Sequence, residues 1–210
     1  MAPHLNIVPS MFVLFLLFIS ASKVQSDAID VVAKFGTKAD GKTDLSKSFL
    51  DAWKEACASV TPSTVVIPKG TYLLSKVNLK VPCKAPIEIN VQGTVQAPAD
   101  PNAFKDPNWV RFYSIENFKM SGGGIFDGQG SIAYEKNKDP DNREFRSKLL
   151  AVEAPVDRPN TYAIHMGKSD GVNIIGYDIK IGDDCISIGD GTKTLDIKEI
   201  TCGPGHGIRS

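Results

Sequence analysis

The chain has 210 residues, 42% hydrophobic and 23% charged. That balance belongs to an ordinary globular domain and excludes a disordered or collagen-like polymer. Its 24 basic and 24 acidic residues cancel, so no net field draws it to nucleic acid or to an anionic membrane.

The first feature along the chain is the unbroken apolar run from Phe12 to Ile19, followed by Ser20, Ala21 and Ser22. A spanning helix takes about 20 apolar residues, so this run is too short to cross a bilayer. Val24 and Ser26 supply the small residues that cleavage before Asp27 needs. Residues 1–26 therefore read as a secretory signal peptide and residues 27–210 as one mature domain, secreted and with no membrane partner once the leader is removed. Cleavage takes away Lys23 and no acid, which leaves the mature chain effectively neutral.

From Asp44 to Ala58 the residues Leu45, Phe49, Ala52, Trp53 and Ala56 follow a 3.6-residue period, with Asp44 placed as N-cap. This is the one helix that the periodicity predicts. Beyond Pro62 the chain consists of short β-branched runs separated by Gly, Asn and Asp: Thr64–Ile67, Ile87–Val91, Val172–Ile175 and Ile186–Ile188. Between them, Ser131 to Arg158 is densely charged and flanked by prolines, and reads as a surface excursion. Four cysteines, Cys57, Cys83, Cys185 and Cys202, lie in the mature part. Three disulfide connectivities are open, of which Cys57 with Cys83 and Cys185 with Cys202 close the shortest loops. No C-x-x-C spacing points to zinc, and the single Asp190-Gly191 pair is too little for a calcium loop.

The last fifty residues repeat. Ala163-Ile164-His165-Met166-Gly167 returns as Cys185-Ile186-Ser187-Ile188-Gly189 at an offset of 22, and Val172-Asn173-Ile174 returns as Leu195-Asp196-Ile197 at 23. Ile179-Lys180-Ile181-Gly182 aligns with Ile200-Thr201-Cys202-Gly203 at 21. Three short strands per period of about 22 residues, with inward aliphatics at every second position, are what a parallel β-helix requires, because each coil buries its apolar face only by stacking on its neighbours. The fold class is thus all-β, a parallel β-helix with one N-terminal helix covering the first coil.

The same period sets Tyr162, Asp184 and His206 in a column, with Asp183 beside the middle member. Neighbours on a regular strand face opposite ways, so the two aspartates share a cleft only where the chain bends, and Gly182 permits that bend. Paired carboxylates push their pKa values apart, leaving one as general acid and the other as base, the apparatus for cleaving a glycosidic bond. His206, between Gly205 and Gly207, is placed to orient or help protonate the pair. His165 reads as packing or solvent contact, and Asn160, Thr161 and Asn173 as turn or ladder residues.

At these residues the chain resembles the polygalacturonases of glycoside hydrolase family 28, and the plant pollen-type exopolygalacturonases most closely. Gly182-Asp183-Asp184-Cys185 followed by Gly205-His206-Gly207 is similar to two signature motifs of that family at one-coil separation. The opening Lys34-Phe35-Gly36 to Thr43-Asp44, the Gly123-Gly124-Ile125-Phe126-Asp127-Gly128 turn and the disulfide-forming cysteines agree with it. The resemblance implies a right-handed parallel β-helix, a pectic polygalacturonate partner, no metal or other cofactor, a cell-wall location, and hydrolysis with inversion. It implies Asp183 as general acid, Asp184 as the base that activates water, His206 as a supporting residue, and Asn160, Tyr162, Gly205 and Gly207 as substrate contacts. Three departures accompany it. The family motif at Asn160-Thr161 continues with Asp where this chain has Tyr162, and a phenol with a pKa of about 10 is a poor base in a mildly acidic wall. The Arg-Ile-Lys motif that binds the substrate carboxylate follows Gly-His-Gly in the family, whereas this sequence stops at Ser210; the expectation is a C-terminally incomplete solenoid without a positive clamp, in which Arg209 substitutes poorly. The interval from Gly130 to Asn160 is also shorter than in the family.

Overall fold

The computed structural model describes residues 27–80, 82–100, 103, 108–129, 162–181 and 184–210. The leader, the charged excursion, Asn160, Thr161, Gly182 and Asp183 lie outside the described residues.

The chain opens with β1 (Asp27–Asp30), α1 (Val31–Phe35), β2 (Asp40–Asp44) and α2 (Ser46–Ala58). Three coils of three strands follow: β3 (Ser63–Ile67), β4 (Thr71–Leu73) and β5 (Val77–Lys80); β6 (Ile87–Val91), β7 (Thr94–Gln96) and β8 (Asn108–Tyr113); β9 (Glu116–Ser121), β10 (Ile125–Asp127) and β11 (Tyr162–Gly167). In the next coil the first two segments run together as β12 (Asp170–Ile181), with Gly176 at a φ of 73° in its middle, and β13 (Asp184–Ile188) completes the coil. The pattern repeats in β14 (Lys193–Pro204) and β15 (Gly207–Arg209). One sheet runs β1-β3-β6-β9-β12-β10-β7-β4-β2 with β14 on β12, and the other β15-β13-β11-β8-β5. Every strand pair in both is parallel. Since β12 belongs to both arms of the longer sheet, the strands form three columns around one interior, which is a parallel β-helix.

The core is built from ladders of like residues. Ile29, Val65, Ile89, Met120, Ile174 and Ile197 stack in register in the first column. Tyr72, Val95, Phe126, Ile179 and Cys202 do so in the second. Val77, Val110, Ile164, Ile186 and Ile208 form the third. The coils are held by side chains at period two, so the inward positions of these three ladders find apolar partners one strand away. Outward polar positions pair similarly, as in Glu88 with Lys119 at 3.0 Å and Asn90 with Ser121 at 2.9 Å.

Helix α2 closes the open end by burying Phe49, Ala52, Trp53 and Ala56. The Trp53 indole N–H donates to the Lys80 carbonyl on β5 at 3.1 Å. Asp44 falls one residue short of the cap, because Leu45 already has helical backbone angles and takes the N-cap position without a side-chain bond. The Asp44 carboxylate still accepts from the Ser46 N–H at 2.9 Å and from the Ser75 N–H at 3.2 Å, tying the helix start to the next coil. The second helix, α1, was not expected from periodicity. Five residues are too few to show a period, and its signals are local: Asp30 accepts from the N–H groups of Val32 and Ala33, and Gly36 ends it at a φ of 66°.

The repeat offsets of 22 and 23 hold: Ile164 pairs with Ile186, and Val172 with Leu195. The offset of 21 does not, since Ile179 pairs with Cys202 rather than Ile200. Strands β12 and β14 form one ladder from Asp170–Lys193 to Ile181–Pro204. A slip of two residues keeps every side chain on its own face, so the aliphatic pattern alone does not separate the two registers. Cys57 joins Cys83 and Cys185 joins Cys202.

Candidate active site

The third column carries the site, at the corner where the chain passes from the second column into it. Strand β12 ends at Ile181 and β13 opens at Asp184; one coil on, β14 ends at Pro204 and β15 opens at Gly207. The two corners are tied by the Gly205 N–H donating to the Ile181 carbonyl at 2.9 Å. Strand β12 and strand β13 belong to different sheets; Gly182 and Asp183, where the bend is expected, lie outside the described residues.

Asp184 is fully buried at 0% exposure. It shares the inward parity of Ile186, two residues on, and Cys185 between them is held by its disulfide to Cys202. A carboxylate taken from water costs several kcal/mol unless its surroundings compensate it, so a buried aspartate at a solenoid corner marks a position maintained for more than packing.

Tyr162 opens β11 and Asp184 opens β13, each two residues before the registered pair Ile164–Ile186, so their backbones lie level. The third member of the column differs from expectation. Asp184 pairs with Gly207, not with His206, because the register shifts between Asp184 and Ile186 against β15. A one-residue irregularity of this kind is invisible to a fixed period. His206 occupies the corner itself and is exposed, one residue ahead of Asp184's partner, and Gly207 adopts a φ of 86°, where a side chain is strained.

His165, read from the sequence as packing or solvent contact, is half-buried. It lies on the outer face of β11 with its Nδ1 3.3 Å from the Ser187 hydroxyl on β13. Partial burial, then the Arg111 guanidinium on β8, push its pKa below the ordinary histidine value. Arg111 was missed in the sequence because it pairs with His165 across the interval from β8 to β11, which holds the charged excursion and exceeds the 22-residue period. Its only sequence signal is its place between the buried Val110 and Phe112.

Stacked parallel strands with a buried carboxylate at a glycine-rich corner define a parallel β-helix with a candidate site on its third column. A profile of the glycosyl hydrolases family 28 matches residues 57–149 and 141–209. The chain belongs to that family. It is 73% identical to a polygalacturonase of Gossypium hirsutum, covering 99% of this chain and 60% of that protein. It is 40% identical to an exopolygalacturonase of Oenothera organensis over 79% of this chain and 56% of the relative. The chain thus spans about 60% of the length of these relatives. Among solved structures, the exopolygalacturonase of Thermotoga maritima superposes with a TM-score of 0.60 at 20% identity, over 86% of this chain and 48% of that one, which supports the shared fold.

Proposed function

We propose that the chain is a polygalacturonase-type glycosidase that hydrolyses α-1,4-galacturonosyl bonds of pectin with inversion. The observation that carries this reading is the juxtaposition, in successive coils, of the corner that opens at Asp184 with the Gly205–Gly207 corner. Membership of family 28 and the names of the similar proteins support it.

Asp183 protonates the leaving glycosidic oxygen as the bond to the anomeric carbon breaks. Asp184 takes a proton from a water that forms the new carbon–oxygen bond on the opposite face of the sugar. The products are two chain ends with the anomeric configuration reversed. An inverting pair stands roughly 6.5–9.5 Å apart to admit that water. His206, exposed at the corner, supports the acid, and Asn160, Tyr162, Gly205 and Gly207 contact the substrate. Since Tyr162 replaces a second carboxylate at the level of Asp184, water activation falls to Asp184 alone. The same substitution favours a second reading, a non-catalytic pectin-binding protein, because it exchanges a carboxylate for an aromatic residue, a type that stacks on sugars. Export to the cell wall is part of the proposal: the Phe12–Ile19 run and the two cysteine pairs fit an oxidising, extracytoplasmic compartment. Among the described residues no helix is long and apolar enough to cross a membrane.

The test is release of new reducing ends from polygalacturonate by the purified chain, with Asp183→Asn as matched control. Activity in the parent that is lost in the variant is the expected result. Equal silence in two folded proteins rejects hydrolysis and leaves binding.

A further inference from the structure

The outer face of the third column carries a row of side chains in strict register: Asn78, Arg111, His165, Ser187 and Arg209. Beside it run Lys80, Tyr113 and Gly167. At the β5–β8 end this face sinks into a cavity of about 210 Å³ lined by Lys76, Asn78, Leu79, Lys80, Arg111 and Tyr113. Three of the six are cations and none is an acid. Burial first, and then the Arg111 guanidinium, hold the Lys76 ammonium below its usual pKa.

Arg111 is prepared for a ligand. Its guanidinium lies 5.3 Å from the centroid of the Tyr113 ring, and such stacking fixes the plane of the fork before anything binds. Its Nε is buried without a hydrogen-bond partner among the described residues. Within that set neither Arg111 nor Lys80 takes part in a salt bridge. Arg111 and Lys80, without a salt bridge among the described residues and beside a concave polar cavity, suit an anion, and a planar fork matches a carboxylate through two parallel N–H donors. The cavity is smaller than the roughly 300–1,000 Å³ of sites for drug-sized ligands, so it suits one sugar unit of a longer chain.

We propose that this cavity is a carboxylate-binding subsite that holds a uronate residue of the polysaccharide through Arg111 and Lys80, two to three coils from the reacting bond. The inference rests on the polyuronate reading above and adds the place and the residues that hold an outlying unit. Strand β8 lies two strands from β13, roughly 10 Å along the axis at about 4.8 Å per strand, a span that one oligosaccharide bridges. Between the two, His165 and Ser187 offer polar contacts along the row.

The experiment is calorimetric binding of pentagalacturonate, and of its fully methyl-esterified form, to the parent chain, to Arg111→Gln and to Lys80→Gln. Lys80 is exposed, so its substitution leaves the packing intact. The parent is expected to prefer the free acid, and each variant to bind it about tenfold more weakly, in the range of one charge-assisted hydrogen bond, while affinity for the ester stays unchanged. Where hydrolysis is measurable, KM rises and kcat holds, since the subsite acts alike on ground and transition states. Unaltered affinity in both variants overturns the subsite and leaves the hydrolase reading standing. Binding lost in the variants, with no reducing ends released by the parent, does the reverse. A parent that binds neither ligand overturns both.

Discussion

Ile186 and Ile208 are the same residue type in the same inward ladder, adjacent in register, yet Ile186 is fully buried at 0% exposure and Ile208 is 46% exposed. Truncating Ile186 to Ala removes three carbons, about 2.4 kcal/mol of transfer free energy at about 0.8 kcal/mol per group. The registered neighbours of Ile186, Ile164 on β11 and Ile208 on β15, belong to a hydrogen-bonded stack that relaxes little. A cavity term then brings the expected cost to about 3–4 kcal/mol. For Ile208→Ala roughly half the transfer term applies and no closed void forms, so about 1 kcal/mol is expected. Urea unfolding followed by far-ultraviolet circular dichroism reads the difference. With m near 2 kcal/mol/M, Ile186→Ala lowers the midpoint by about 1.5–2 M and Ile208→Ala by about 0.5 M, with m itself unchanged. Equal shifts, or a loss below about 1.5 kcal/mol for Ile186→Ala, would refute the claim that the ladder beneath the site carries its stability.

The turn between β9 and β10 separates steric from conformational demands on glycine. A Cβ on Gly122 would sit 2.2 Å from the Val91 carbonyl oxygen, a backbone atom that cannot yield, whereas at Gly123 (φ 69°) its closest neighbour is 3.8 Å away. Gly123→Ala is expected to cost about 1–2 kcal/mol of left-handed strain and Gly122→Ala clearly more, with thermal unfolding as the measure; a reversed order rejects the turn as described. A third expectation concerns acid. The folded state holds the His165 pKa below its ordinary value, by burial first and then by Arg111, with Ser187 as its hydroxyl neighbour. Above the unfolded value near 6.5 both states are neutral there and His165 adds no pH dependence; as the pH falls through it, the unfolded chain takes the proton first and stability drops until the lower folded pKa is passed. His165→Gln should flatten that part of the acid limb, and an unchanged slope between pH 6.5 and 5 would show that His165 is solvated like a free imidazole.

What the sequence determined by itself follows from period and chemistry. Inward aliphatics at every second position, recurring after 22 or 23 residues, admit few architectures other than stacked coils, and they placed Ile164 on Ile186 and Val172 on Leu195 correctly. The same arithmetic brought Tyr162 level with Asp184, and short-loop closure selected the two cysteine pairs. Where it failed, the cause was a degeneracy or an interruption. A two-residue slip preserves faces, so the partner of Ile179 was misassigned. One bulge moved Gly207 into the place expected for His206. The burial of Asp184 was equally unreadable, because an Asp-Asp pair at a corner looks the same whether it faces water or the core. Most of all, the outer row from Asn78 to Arg209 joins residues whose spacings vary with the loops between them. Only the stacking of β5, β8 and β11 brings Lys80, Arg111 and Tyr113 to one cavity, because loops of any length can leave a coil as long as the strands return to register.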